Sequence, residues 1–210
     1  MHLLIKKFKM QDCKPVVTPL IPNEKIKKEY GTRPTDDTNY RSLIGSYLTT
    51  TRPDIMYATS LLSRFMENSM KTHYGATKRL LRYLQGTLNY GIWYKSSSDS
   101  QLVGYCYSDW AGSQDDMKST SGYVFKLGSG VFSWGSKKQD SVALSSIEAE
   151  YVAATGATCQ LYGLKEYWKT WENYKNWQPR FTAITSQLSQ CPRIQFNIIT
   201  QSTLTSSITS

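Results

Sequence analysis

The sequence predicts a mixed α/β protein: a basic, helical first half, then a sheet that opens with antiparallel strands and leads into a helix. Two observations carry this. Between Asn39 and Gln85 apolar residues recur at intervals of three and four, the spacing of an amphipathic helix. From about Tyr90 to Gln139 the pattern changes to short aromatic and β-branched runs separated by Ser, Gly and Asp clusters, and a helix start follows at Ser145. The organisation expected is a helical region over residues 1–96, a sheet-and-helix region over 97–160, and an atypical tail over 161–210.

The chain begins with a loose stretch ending near Pro34, and Asn39 to Thr49 reads as a short helix. Asp54 follows Pro53, and Ile55, Ala58, Leu62 and Phe65 then recur at helical spacing. A further helix is expected from about Lys71 to Gln85, with Leu80, Leu81 and Leu84 as its apolar side. Lys71, Lys78 and Arg82 are spaced by seven and then four, so they share a face. That face is either a phosphate-tracking stripe or a solvated helix surface.

Tyr90–Tyr94, Leu102–Ser108, Thr120–Leu127 and Val131–Trp134 read as strands, the last two joined as a hairpin through Gly128, Ser129 and Gly130. Ser145 and Glu148 have the S-x-x-E spacing of a capping box, which starts a helix through Ala149, Val152, Ala153 and Ala157. The box occupies Glu148. Glu150 points about 200° away round the helix and is free for other work. From Phe181 to Ser210 Arg193 is the only charged residue, and Ser, Thr, Gln and Ile dominate.

Composition narrows the function. A net charge of +9 suggests a polyanionic partner, nucleic acid first. Cys13, Cys106, Cys159 and Cys191 are widely separated, which gives neither zinc-site spacing nor a disulfide framework. That pattern and the lack of a signal-peptide pattern point to an intracellular protein, cytoplasmic or nuclear. Two histidines leave little material for histidine catalysis. No apolar run approaches the roughly 20 residues that span a bilayer.

Several stretches carry a family resemblance: KKFKMQDCKPVVTPL, YRSLIGS, TRPDIMYATSLLSRFM, KRLLRYLQGTLNYGIWY, GYCYSDWAG, KSTSGYVFKLGSGVFSWGSKKQ and VALSSIEAEYVAA. In this order, over roughly residues 3–160, they resemble the Pol polyprotein of copia-type retrotransposons. The first of them is similar to the last part of its reverse transcriptase, and a connection region follows. The segment from about residue 100 resembles the front half of its ribonuclease H domain. The resemblance implies a ribonuclease H-like mixed sheet and hydrolysis of the RNA strand of an RNA–DNA hybrid by four carboxylates and two magnesium ions. Two metals about 3.5–4 Å apart would clamp the attacking and leaving oxygens of one phosphate.

This chain departs from the family pattern Asp-x-Asp-Trp-Ala-Gly at its leading position, where Tyr107 stands in place of the metal-binding Asp. Asp109 matches the second Asp and Glu150 the helix carboxylate, so these two are the candidate catalytic and magnesium-binding residues. Asp109 is displaced about 6–7 Å along the strand from the lost ligand. The family's third and fourth carboxylates, in stretches reading YCDN and TKHIDIKYHF, do not occur here. Magnesium is therefore expected not to bind. The candidate nucleic-acid contacts are Lys71, Lys78, Arg82, Lys137 and Lys138.

The tail suggests a cause. Back-translated one base out of register, Thr182 to Gln187 permits Y-C-D-N-K-S, and Ser202 to Ser210 permits K-H-I-D-I-K-Y-H-F. One constant offset from Leu161 onward restores the family pattern, as a single frameshift near Gln160 would. A smaller lesion is the shortening between Ser46 and Thr49, where the family has about two more residues. Three readings follow: a hybrid ribonuclease, a residual nucleic-acid-binding module, and a degenerate product with a poorly ordered tail and no present activity.

Overall fold

A computed structural model of the chain describes residues 2–22, 24–28, 31, 33, 37–45, 51–95, 102–169, 180–183 and 195–197. The shortening between Ser46 and Thr49 and most of the tail lie outside these residues.

Four helices build the first region: α1 (His2–Lys7), α2 (Asp37–Gly45), α3 (Met56–Ser63) after a 3-10 turn at Pro53–Ile55, and α4 (Lys71–Gly86). The predicted apolar side of α4 is its buried side. Leu80, Leu81 and Leu84 close on Leu43, Ile55 and Leu62, all nearly or fully removed from water. Each such side chain contributes roughly 1.5–3 kcal/mol of burial. The start of α4 is fixed by His73, whose Nδ1 accepts the Met70 N–H at 3.1 Å and whose Nε2 donates to the Lys27 carbonyl at 2.8 Å. Its ring stacks on Phe65 at 4.2 Å, and burial lowers its pKa, so it stays neutral and structural.

The expected loose start is more ordered than its sequence suggests. After α1, residues 11–18 run antiparallel along α4. Gln85 donates to the Gln11 carbonyl at 3.0 Å, Arg82 to the Lys14 carbonyl at 2.7 Å, and Arg79 to the Thr18 hydroxyl at 2.9 Å. Pro15 sits where a Cβ on Gly86 would be, so α4 can end only on a residue without one.

Arg52, 3 % exposed, anchors the Thr-Arg-Pro-Asp turn. It binds both carboxylate oxygens of Asp54, at 2.8 and 2.6 Å, and the Thr87 carbonyl and hydroxyl at 3.0 and 2.7 Å. Tyr83 donates to Asp54 at 2.7 Å. Burial works to raise the Asp54 pKa, but the hydrogen bonds from Arg52 and Tyr83 outweigh it and hold the carboxyl below its usual range.

The second region is a sheet ordered β3-β2-β1-β4-β5, with β1 (Leu102–Asp109), β2 (Thr120–Leu127), β3 (Gly130–Lys138), β4 (Arg180–Ala183) and β5 (Gln195–Asn197). β1, β2 and β3 pair antiparallel, as the sequence predicts. Residues 90–94 form no strand. Tyr94 instead crosses to the β2–β3 turn, donating to the Val131 carbonyl at 2.7 Å, and Trp93 is 82 % exposed. The run is aromatic, but no described strand offers it a partner.

α5 (Ser146–Lys169) packs on the face of β1 and β2 that presents Leu102, Cys106 and Phe125, through Ala154, Ala157 and Leu161. The boundary placed at residue 160 therefore falls inside a helix: Leu161 is 2 % exposed and belongs to the core, and the helix runs on to Lys169. β4 lies parallel to β1, with Tyr105 opposite Thr182 and Cys106 opposite Ala183. From the sequence, no strand is assigned to residues 180–183. Among the described residues no helix is long and apolar enough to cross a membrane.

Candidate functional site

The predicted start of α5 forms with one variation. The Ser145 hydroxyl accepts the Glu148 N–H at 3.1 Å, and the Glu148 carboxylate accepts the N–H of Leu144 at 2.7 Å, one residue before the cap. Glu148 is thereby occupied by helix initiation, and Glu150 turns to the sheet. One oxygen of Glu150 accepts the Ser108 N–H on β1 at 3.2 Å, while the other is buried without a hydrogen-bond partner. Burial pushes the carboxyl up to about 6, with the Ser108 amide opposing it. The adjacent Cys106 thiol is pushed up to about 12 by burial and by the Glu150 charge.

Strand alternation separates the other candidates from this carboxylate. Leu102, Gly104, Cys106 and Ser108 are buried, and Tyr105, Tyr107 and Asp109 alternate with them towards the opposite face. There Asp109 meets α3: the Tyr57 hydroxyl points at its Oδ2 from 3.4 Å. The same carboxylate lies against Gly112, where any Cβ would collide with it, so the Asp-Trp-Ala-Gly turn needs its glycine to seat the aspartate. The Tyr107 ring covers Gly122 of β2 in the same manner. Burial raises the Tyr107 phenol, with the Ser136 hydroxyl opposing and the Asp109 charge adding. Tyr107 is therefore a neutral phenol at neutral pH and a poor substitute for a metal-binding carboxylate.

The described contacts of Asp109 and Glu150 lead to different elements, Asp109 to α3 and Glu150 to the Ser108 amide. Among the described residues no group of three or more His, Cys, Asp or Glu is placed to hold a metal ion. Magnesium needs several oxygen ligands at about 2.0–2.1 Å with concentrated negative charge. A single carboxylate that protonates near pH 6 and a phenol do not make that donor set.

Gln139 was not singled out from the sequence. It is 5 % exposed, and its side-chain amide donates to the Ala149 carbonyl at 2.8 Å and Ser121 at 2.9 Å, with Ser108 at 3.4 Å. It ties the start of α5 to two strands. A lone glutamine after two lysines gives no signal of this, because its partners lie 10, 18 and 31 residues away.

The candidate cations divide. Lys138 is paired with Asp116 at 2.6 Å, and Lys137 makes an exposed pair with Asp140 at 3.1 Å. On α4, Lys71 and Lys78 are exposed, Lys78 lying over the Tyr74 ring at 4.8 Å, while Arg82 holds the N-terminal segment. Charge divides between the regions in the same way. Residues 1–95 carry sixteen Lys and Arg against seven Asp and Glu, and residues 96–210 carry nine against nine. The whole excess of +9 lies in the helical region.

Antiparallel strands, a parallel strand beside them and a helix that brings one carboxylate to the central strand define an incomplete ribonuclease H-like mixed α/β fold. Relatives agree. The Retrovirus-related Pol polyprotein from transposon RE1 of Arabidopsis thaliana is 45 % identical over 160 residues, 75 % of this chain and 11 % of that protein. That from transposon TNT 1-94 of Nicotiana tabacum is 39 % identical over 173 residues, 78 % of this chain and 13 % of that protein. A shorter relative, the Secreted RxLR effector protein 161 of Plasmopara viticola, is 48 % identical over 122 residues, 57 % of this chain and 86 % of that protein. No family model and no solved structure matches the chain. The chain belongs to the copia-type retrovirus-related Pol polyproteins. It spans about a tenth of the length of the Pol polyproteins it matches.

Proposed function

We propose that this chain is a Pol-derived fragment whose ribonuclease H-like sheet no longer hydrolyses RNA–DNA hybrids and whose helical region retains non-specific nucleic-acid binding. The observation that carries the first half is Tyr107 in the position of the leading metal carboxylate, with Glu150 left as the one matching ligand. No step of hydrolysis is derived for this chain, because its donors do not fit two magnesium ions. The purified chain is expected to show no magnesium-dependent cleavage of a hybrid; cleavage abolished by Glu150→Gln would sink this reading.

The confinement of the net positive charge to residues 1–95 supports the second half. Lys71 and Lys78 are the exposed cations of the stripe, Arg82 contributing from beside Lys14. Binding carried by phosphate contacts falls steeply with salt and ignores sequence. An affinity unchanged between low and moderate salt would contradict it.

The tail reads best as the product of a frameshift near Gln160. The shifted frame would set its aspartate at position 184. Coding DNA with an unshifted frame and unrelated codons across 155–165 would refute the frameshift. Unpaired cysteines at Cys13, Cys106 and Cys159 fit a reducing compartment, cytoplasmic or nuclear. Fractionation of a tagged chain tests that placement.

A further inference from the structure

We propose that Tyr107 and Asp109 form an internal docking seam that fastens the helical region, through α3, to the face of the sheet opposite α5. Three polar contacts cross it. Tyr57 faces Asp109 at 3.4 Å, Ser60 donates to the Ser136 carbonyl at 3.0 Å, and the Arg64 guanidinium donates to Thr120 at 2.9 Å. Tyr57, Ser60 and Arg64 are spaced three and four along one side of α3 and its C-cap, so the helix presents a single polar stripe to the sheet.

The seam is part-buried. Burial pushes the Tyr57 phenol up to about 12, with Asp109 and Tyr107 adding to the effect. Burial also lowers the Arg64 pKa against the opposing influence of Tyr57, Asp116 and Asp109. The Tyr107 ring fills the space above Gly122. An aspartate there would leave that space empty and set a second carboxylate two residues from Asp109, on the same face and against one guanidinium. The aromatic ring thus supplies what a carboxylate at 107 would not: apolar volume and no charge. The inference stands on these contacts and does not depend on whether the sheet is catalytically dead.

Residual dipolar couplings measured on the full chain test it. In the native protein and in Tyr107→Phe, α2–α4 and β1–β3 with α5 should fit one alignment tensor. In Tyr107→Asp and in Arg64→Met, which removes a sheet contact and keeps the apolar stem, the two regions should need separate tensors. One shared tensor in Arg64→Met and Tyr107→Asp would overturn the seam, as would separate tensors in the native protein. A Tyr107→Asp chain that keeps one tensor and shows magnesium-dependent shifts at residues 107–109 would also overturn it, marking the position as a latent metal site.

Discussion

The helical region and the sheet region hold different resources. The helical region has a core of large side chains, Leu80, Leu81, Leu62, Leu43 and Tyr40 among them, and all of the net charge. The sheet region meets α5 mostly through alanines, and it leaves Leu144, Ile147 and Tyr151 at the start of α5 between 69 and 88 % exposed. Yet the most specific family motifs lie in the sheet region. Ancestry and physical resources are thus written in different parts of one chain: residues 104–112 and 145–151 carry the family motifs, and residues 1–95 carry the larger core side chains and the net positive charge.

The sharpest way to break this contrast is to empty each core. Leu80→Ala should cost about 3–4 kcal/mol in urea unfolding, the middle of the range for buried leucines. Leu161→Ala should cost about 2 kcal/mol, because a helix face of alanines can settle onto the sheet. Equal costs would mean that the two cores are equally packed. Asp54→Ala comes next. It strands the buried Arg52 cation, and a loss of about 2–3 kcal/mol is expected, discounted because the Asp54 side chain is one-third exposed.

Binding is the next test. Neutralising Lys71, Lys78 and Arg82 together should weaken single-stranded or hybrid binding about tenfold at low salt and flatten its salt dependence. Neutralising Lys137 and Lys138, already paired with Asp140 and Asp116, should change it less than twofold. The reverse order would move the interface to the sheet.

The smallest effect is a pH dependence. The Glu150 carboxyl has its folded pKa raised to about 6 from an ordinary 4.5. Between these values the unfolded chain gives up a proton that the folded chain keeps, so this group's contribution to stability declines as pH rises through that window. Asp116 and Asp54 are shifted the opposite way, and their stabilisation is lost only as pH falls below the ordinary carboxylate range. Glu150→Gln should therefore flatten the pH 4.5–6 decline in chelator-treated buffer and leave the acid limb intact.

Much of this was legible in the sequence, for reasons of range. α4, β2 and the hairpin follow from periods of 3.6 and 2 and from a Gly-rich turn, all local signals. The capping box at Ser145 is equally local, and only its acceptor geometry shifted by one residue. What escaped was long-range. The docking of residues 11–18 on α4 spans more than 60 residues, and the α3 stripe meets β1, β2 and β3 across 52 to 76. Asp109 meets α3 and Glu150 meets the Ser108 amide, and an alternating strand offers two faces. The sequence does not say which of them receives α5 and which receives α3.

The most direct test of the account is hybrid cleavage by the full purified chain in magnesium, beside Glu150→Gln and Tyr107→Asp. The account predicts no cleavage above buffer from any of the three, because the remaining donors are too few. Magnesium-dependent cleavage by the native chain that Glu150→Gln abolishes would contradict it.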